Sequence, residues 1–83
     1  MMVKIMYFAW VREKIGVSKE VIETNAETVN ELILELNQKG ENYKIAFSKR
    51  DQIKVALDQD MADLNSSLLG VKEVAFFPPM TGG

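Results

Sequence analysis

The sequence predicts an α+β domain in which a mixed β-sheet packs on one main helix, with short helices beside it. Three observations predict it. Strand-like apolar runs stand near both ends of the chain, at residues 3–9 and 71–77. Between them lies one amphipathic helical segment with its own start signal. The segments follow one another as strand, short helix, strand, long helix, strand, connector, strand, an order that fits a single sheet covered on one face.

Val3, Ile5 and Tyr7 alternate with Met6 and Phe8, so the first strand is apolar on both faces and belongs inside the sheet, not at its edge. Residues 10–15 shift to helical spacing, with Val11 and Ile15 four apart, and Gly16 closes that short helix. Residues 17–23 alternate more weakly and read as a second strand. The short link between the two strands favours an antiparallel pair.

Thr28-Val29-Asn30-Glu31 has the form of a capping box, with the Thr28 hydroxyl on the third amide of the helix and Glu31 reaching back. Behind it Val29, Leu32, Ile33 and Leu36 form one apolar stripe. Lys39 suits the last turn and Gly40 ends the helix. Residues 43–49 make a helical turn presenting Tyr43, Ala46 and Phe47, and Lys49-Arg50-Asp51 reads as a solvated turn.

Residues 53–57 alternate cleanly as a third strand, and Asp58-Gln59-Asp60 reads as a turn. Its two carboxylates lack the glycine and spacing of a calcium loop, so no metal is expected. Residues 61–69 form a polar connector anchored by Leu64, Leu68 and Leu69. Gly70 then turns the chain into the last strand. A terminal strand this apolar belongs in the middle of the sheet, beside the first. The arrangement is a ubiquitin-like β-grasp.

Composition narrows the function. The 83 residues make one domain, able to bury roughly 60–65% of its unfolded surface. A net charge of −2 offers no basic footprint for nucleic acid. The chain has no cysteine, hence no disulfide, thiolate nucleophile or cysteine zinc site. It also has no histidine, the usual acid–base group near neutral pH. Charges at Lys4, Arg12, Glu13 and Lys14 break every early apolar run, so no secretory leader is expected. No run approaches membrane-spanning length. A cytoplasmic protein is expected.

The segment from Val74 to Gly83 carries no charged side chain in a chain that is 27% charged. Pro78 and Pro79 donate no backbone hydrogen bond, so the strand must end at about Phe77. The reading divides the chain into a domain over residues 1–77 and an extended, flexible tail over 78–83. Extended, that tail reaches roughly 20 Å at about 3.3 Å per residue. Gly82 and Gly83 lack Cβ and can thread a narrow channel. The reactive group at the tip is the Gly83 carboxylate, ionised at neutral pH and a poor electrophile. Chemistry there needs activation, most simply as an acyl-adenylate.

Tyr7-Phe8-Ala9-x-Val11-Arg12-Glu13-x-x-Gly16 and Glu73-Val74-Ala75-Phe76-Phe77-Pro78-Pro79-Met80-Thr81-Gly82-Gly83 closely resemble the small subunit of molybdopterin synthase, the MoaD family of sulfur carriers. The resemblance spans nearly the whole chain and implies a β-grasp fold. It implies that an E1-like enzyme adenylates Gly83 with ATP. A sulfur donor such as a cysteine desulfurase then makes a C-terminal thiocarboxylate. The large synthase subunit, in a heterotetramer, takes up the tail and holds the catalytic residues that build the dithiolene. No cofactor is expected on the chain itself. Gly82, Thr81, Met80, Pro79, Pro78, Phe77 and Phe76 are the implied docking residues, with one phenylalanine expected to face the core by strand alternation. Phe8 and Arg12 match the N-terminal motif; each reads equally well as an interface residue or as plain sheet-face and surface positions. The chain departs from the family at Lys72, where an acidic residue is frequent, and at Asp58, where asparagine is frequent.

The same fold and Gly-Gly end also serve sulfur carriers for thiazole (thiamine) synthesis or tRNA thiolation, and ubiquitin-like protein modifiers. A plain interaction domain with an inert tail is the remaining alternative.

Overall fold

A computed structural model describes residues 1–79. Five strands, β1 Met2–Tyr7, β2 Lys19–Glu23, β3 Lys54–Leu57, β4 Asp60–Ala62 and β5 Glu73–Phe77, alternate with helices α1 Ala9–Ile15, α2 Val29–Asn37 and α3 Glu41–Ala46, and a 3-10 turn spans Arg50–Gln52. The sheet order is β2-β1-β5-β3-β4. β5 runs parallel to β1 and antiparallel to β3, and the two flanking pairs are antiparallel. The last strand therefore lies at the centre of a mixed sheet, beside the first, as its apolar character predicts.

The core fills the helix-covered face. Val29, Leu32, Ile33 and Leu36, the α2 stripe, are fully buried against Val3, Ile5 and Tyr7 of β1, Val55 of β3 and Val74 and Phe76 of β5. The rings of Tyr7 and Phe76 stack at 6.2 Å, and Phe47 meets Phe76 edge-on at 5.0 Å. Tyr43, Ala46 and Phe47 are buried together, as the sequence predicts for that turn.

The ends of the elements depart from the expectations in informative ways. The Thr28 hydroxyl accepts from the Glu31 amide, but the Glu31 carboxylate accepts from Glu27 N–H instead of Thr28. Thr28 instead bridges to Ser67, and the connector supplies carbonyls of Ser66 and Leu64 to the amides of Val29 and Asn30. Connector and helix start thus satisfy each other's orphan groups. Helix α2 ends at Asn37, short of Lys39, and Gly40 caps the start of α3. Arg50 is not simply solvated: its guanidinium donates to Asn30 Oδ1 at 2.9 Å and to the Phe47 carbonyl. Of the three connector leucines Leu68 is buried, Leu64 partly so, and Leu69 is 91% exposed and anchors nothing.

The strand β4 has no counterpart in the sequence reading, which placed a turn and a connector there. Leu57 pairs with Asp60 across a two-residue loop in which Asp58 (φ 50°) and Gln59 (φ 75°) are both left-handed. Hairpin loops of that geometry favour Asn-Gly, and Asp-Gln conceals the signal. The Asp58 carboxylate also accepts from the amides of Lys72 and Glu73, at 3.0 and 2.9 Å, locking this turn to the entry of β5. Replacing Gln59 by glycine removes the left-handed cost of a Cβ, and we expect a gain of about 0.5–1 kcal/mol, measured as a raised urea midpoint with unchanged slope.

One polar cluster sits among these apolar layers. Glu20 accepts from Tyr7 Oη at 2.8 Å and Tyr43 Oη at 2.9 Å and pairs with Lys39 Nζ at 3.1 Å. Burial works against its charge, but the hydrogen bonds from both phenols and Lys39 outweigh it and hold the carboxyl below its usual 4.5. Burial, reinforced by Glu20, pushes Tyr43 up to about 12, and Tyr7 rises by the same causes. A lowered carboxyl pKa stabilises the fold above 4.5, and that contribution disappears as pH falls through the folded value. The raised phenols stabilise it below pH 10, and Tyr43's share is lost as pH climbs through about 12. We expect urea unfolding to show a plateau between these limits. Glu20→Gln should lower the plateau by about 1–3 kcal/mol and flatten its acid limb.

Candidate functional site

The site is built by alternation along β5. Val74 and Phe76 point into the core, which leaves Glu73, Ala75 and Phe77 on the opposite, half-exposed face. Phe76, one of the expected docking residues, is fully buried and stacked on Tyr7, so its ring is closed to a partner. Phe77 is the phenylalanine turned outward.

Tyr7 is paired with Phe76, so Phe8 and Phe77 follow at the same level on the outer face. Phe8 stays extended (φ −124°, ψ 156°), its N–H donates to the Phe76 carbonyl at 3.0 Å, and it is 42% exposed. Ala9, left-handed at φ 51°, then turns the chain sharply into α1. Arg12 follows one turn on, its amide bonded to the Phe8 carbonyl and its side chain exposed. Lys54 of β3 flanks Phe77 from the other side. Pro78 and Pro79 continue from this point, each half-buried. Met80, Thr81, Gly82 and Gly83 lie outside the described residues.

Pairing also assembles a row that sequence reading did not single out. Met6 lies opposite Ala75, Ala75 opposite Ala56, and Ala56 opposite Met61, across four strands of the outer face. Met61 is 68% exposed. The available signal was the two-sided apolar character of β1, but the row needs β4, which the sequence conceals. Together with Phe8 and Phe77 it makes an apolar sheet face beside the point where the chain leaves β5. Such faces mark interaction surfaces.

Among the described residues no group of three metal-ligating side chains is brought together. The perturbed titrating groups, Glu20, Tyr7 and Tyr43, are bonded to one another as a structural cluster. What the described residues offer is an apolar surface beside the end of β5.

The ThiS family profile matches residues 5–83, from β1 through the final glycine. The chain belongs to the ThiS family. It is 37% identical over 82 residues to the molybdopterin synthase sulfur carrier subunit of Haemophilus influenzae, covering 99% of this chain and 100% of that protein. The subunit of the same name from Escherichia coli K12 is 30% identical over the same shares. Among solved structures, a putative molybdopterin converting factor subunit 1 from Pyrococcus furiosus is 26% identical with a TM-score of 0.71, covering 96% of this chain and 99% of that one. SAMP1 from Haloferax volcanii is 22% identical with a TM-score of 0.74 over 100% of both chains, a likeness of fold. The β-grasp expected from the order of elements is thus the fold of this family. No helix among the described residues is long and apolar enough to cross a membrane.

The two neighbouring phenylalanines should separate cleanly on mutation. Phe76→Ala should cost about 3–5 kcal/mol because it opens a cavity against Tyr7 and Phe47. Phe77→Ala should cost about 1 kcal/mol or less. Chemical denaturation of both variants reads the difference directly.

Proposed function

We propose that the chain is the sulfur-carrying small subunit of a molybdopterin synthase, with the Gly83 carboxylate as the group that reacts. The observation that carries this reading is full-length identity, 37% and 30%, with two curated sulfur carrier subunits, in a family match that runs to Gly83. An E1-like enzyme uses ATP to convert the carboxylate to an acyl-adenylate, which supplies the leaving group a bare carboxylate lacks. The terminal sulfur of a persulfide on a donor such as a cysteine desulfurase attacks the acyl carbon and displaces AMP. A thiol then reduces the resulting acyl disulfide, becoming a disulfide with the donor's sulfur and leaving a thiocarboxylate. The large synthase subunit takes up Gly82 and Gly83 with Thr81, Met80, Pro79 and Pro78 behind them, and Phe77, Phe8 and Arg12 meet its rim. ATP is bound by the activating partner, and the work is done in the cytoplasm.

The chemistry of the chain supports the reading. Without cysteine or histidine it has no side chain suited to carrying sulfur, whereas a thiocarboxylate places a soft anionic nucleophile on the main chain itself. The fold shared with SAMP1 also suits a protein modifier. Conjugates linked to partner lysines would mark that use.

The test is a reconstituted synthase with the activating enzyme, ATP and a sulfur donor. Removing Gly83 should abolish both adenylation and dithiolene product while the unfolding curve stays within about 0.5 kcal/mol of wild type. Gly82→Val should also block product, because a branched side chain restricts both backbone and channel fit. Product formation by the Gly83 deletion would rule out the carrier role.

A further inference from the structure

A groove opens between α1 and the segment from α3 to the 3-10 turn. Its cavity of about 280 Å³ is lined by Trp10, Ile45 and Ala46 on the apolar side and by Lys14, Lys49 and Gln52 on the polar side. Nothing in the carrier reading uses it.

Its position ties it to the chain's exit. Trp10 stands two residues beyond Phe8, whose amide is bonded to Phe76. Gln52 stands two residues before Lys54, which lies opposite Phe77. The two walls of the groove therefore begin on either side of the place where the chain leaves β5. A protein that takes up the residues after Pro79 must approach this end of the domain.

Its chemistry selects an occupant. The chain as a whole carries a net charge of −2, yet this groove has two lysines and no carboxylate in its lining. Neither Lys14 nor Lys49 takes part in an ion pair among the described residues. Beside them Trp10 is half-buried and Ile45 is 53% exposed. A pocketed tryptophan with a cationic rim is the composition of an interface anchor, and the charge selects the partner.

We propose that this groove docks an acidic segment of the large synthase subunit, a carboxylate meeting Lys14 and Lys49 while an apolar side chain covers Trp10 and Ile45. The inference rests on the carrier reading and adds a second contact to it, one that sets affinity and orientation while the C-terminal end does the chemistry. Lys14 and Lys49 are thus positioning residues. Because the two lysines are exposed, the contact should weaken as salt screens it.

The test measures binding of the full-length chain to the purified large subunit by calorimetry at low and high salt, beside product formation in the reconstituted synthase. The double variant Lys14→Glu/Lys49→Glu should bind about tenfold or more weakly, with the salt dependence of the wild type removed or inverted. Trp10→Ala should weaken binding to a similar degree with the salt dependence retained. Lys72→Glu, at the opposite end of β5, should bind within about twofold of wild type. Excess large subunit should restore product to the double variant, a recovery the Gly83 deletion cannot show. Unchanged affinity and salt response in a folded double variant overturn the groove while leaving the carrier reading intact. Weakened binding to the activating enzyme alone also overturns it. A wild-type chain that neither binds the large subunit nor yields product overturns both.

Discussion

The parallel pairing of β1 with β5 is the constraint from which the rest of the molecule follows. It joins residues from the two ends of the chain in register, Ile5 with Val74 and Tyr7 with Phe76, at the centre of the sheet. On the covered face the stacked rings of Tyr7 and Phe76 seal that seam, with Phe47 set edge-on against it. Few contacts in a domain of this size are so far apart in sequence, and their closure entropy must be met by burial. Both strands accordingly lose their core-facing side chains completely from solvent.

The same pairing decides where function can be placed. β5 is paired on both sides, so the chain enters Pro78 from a strand held between two neighbours. Alternation then separates neighbouring residues by role: Phe76 closes the core, and Phe77 faces outward beside Phe8. The prolines end the ladder at Phe77, as their missing amide hydrogens require. Around that point stand an apolar sheet face on one side and the basic groove of Trp10, Lys14 and Lys49 on the other. The body of the protein contributes position and surface, and the proposed chemistry belongs to the main chain beyond it.

Much of this was legible because the signals are local or periodic. The α2 stripe, the Thr28 cap, the Gly16 closure and the halt at Phe77 all follow from spacing or from one residue's covalent geometry. The central place of β5 was legible from the run Val74–Phe77, which is apolar on both faces. What sequence hid depends on pairing partners. Strand β4 is three residues long, and its turn uses Asp-Gln in a conformation that ordinarily announces itself with glycine. The Met6–Ala75–Ala56–Met61 row exists only once four strands are aligned. Glu20 reads as an ordinary strand charge until Tyr7, Tyr43 and Lys39, drawn from three separate segments, converge on it. Lys39 in turn is recruited by that carboxylate instead of the end of α2.

The central claim is that the reacting group is the C-terminal carboxylate and no side chain. The most direct measurement is the intact mass of the purified chain after incubation with the activating enzyme, ATP and a sulfur donor, with fragmentation to locate the change. One oxygen should be exchanged for one sulfur, confined to Gly83 and dependent on ATP. An unchanged mass under conditions that sustain product formation, or sulfur located on any other residue, would contradict it.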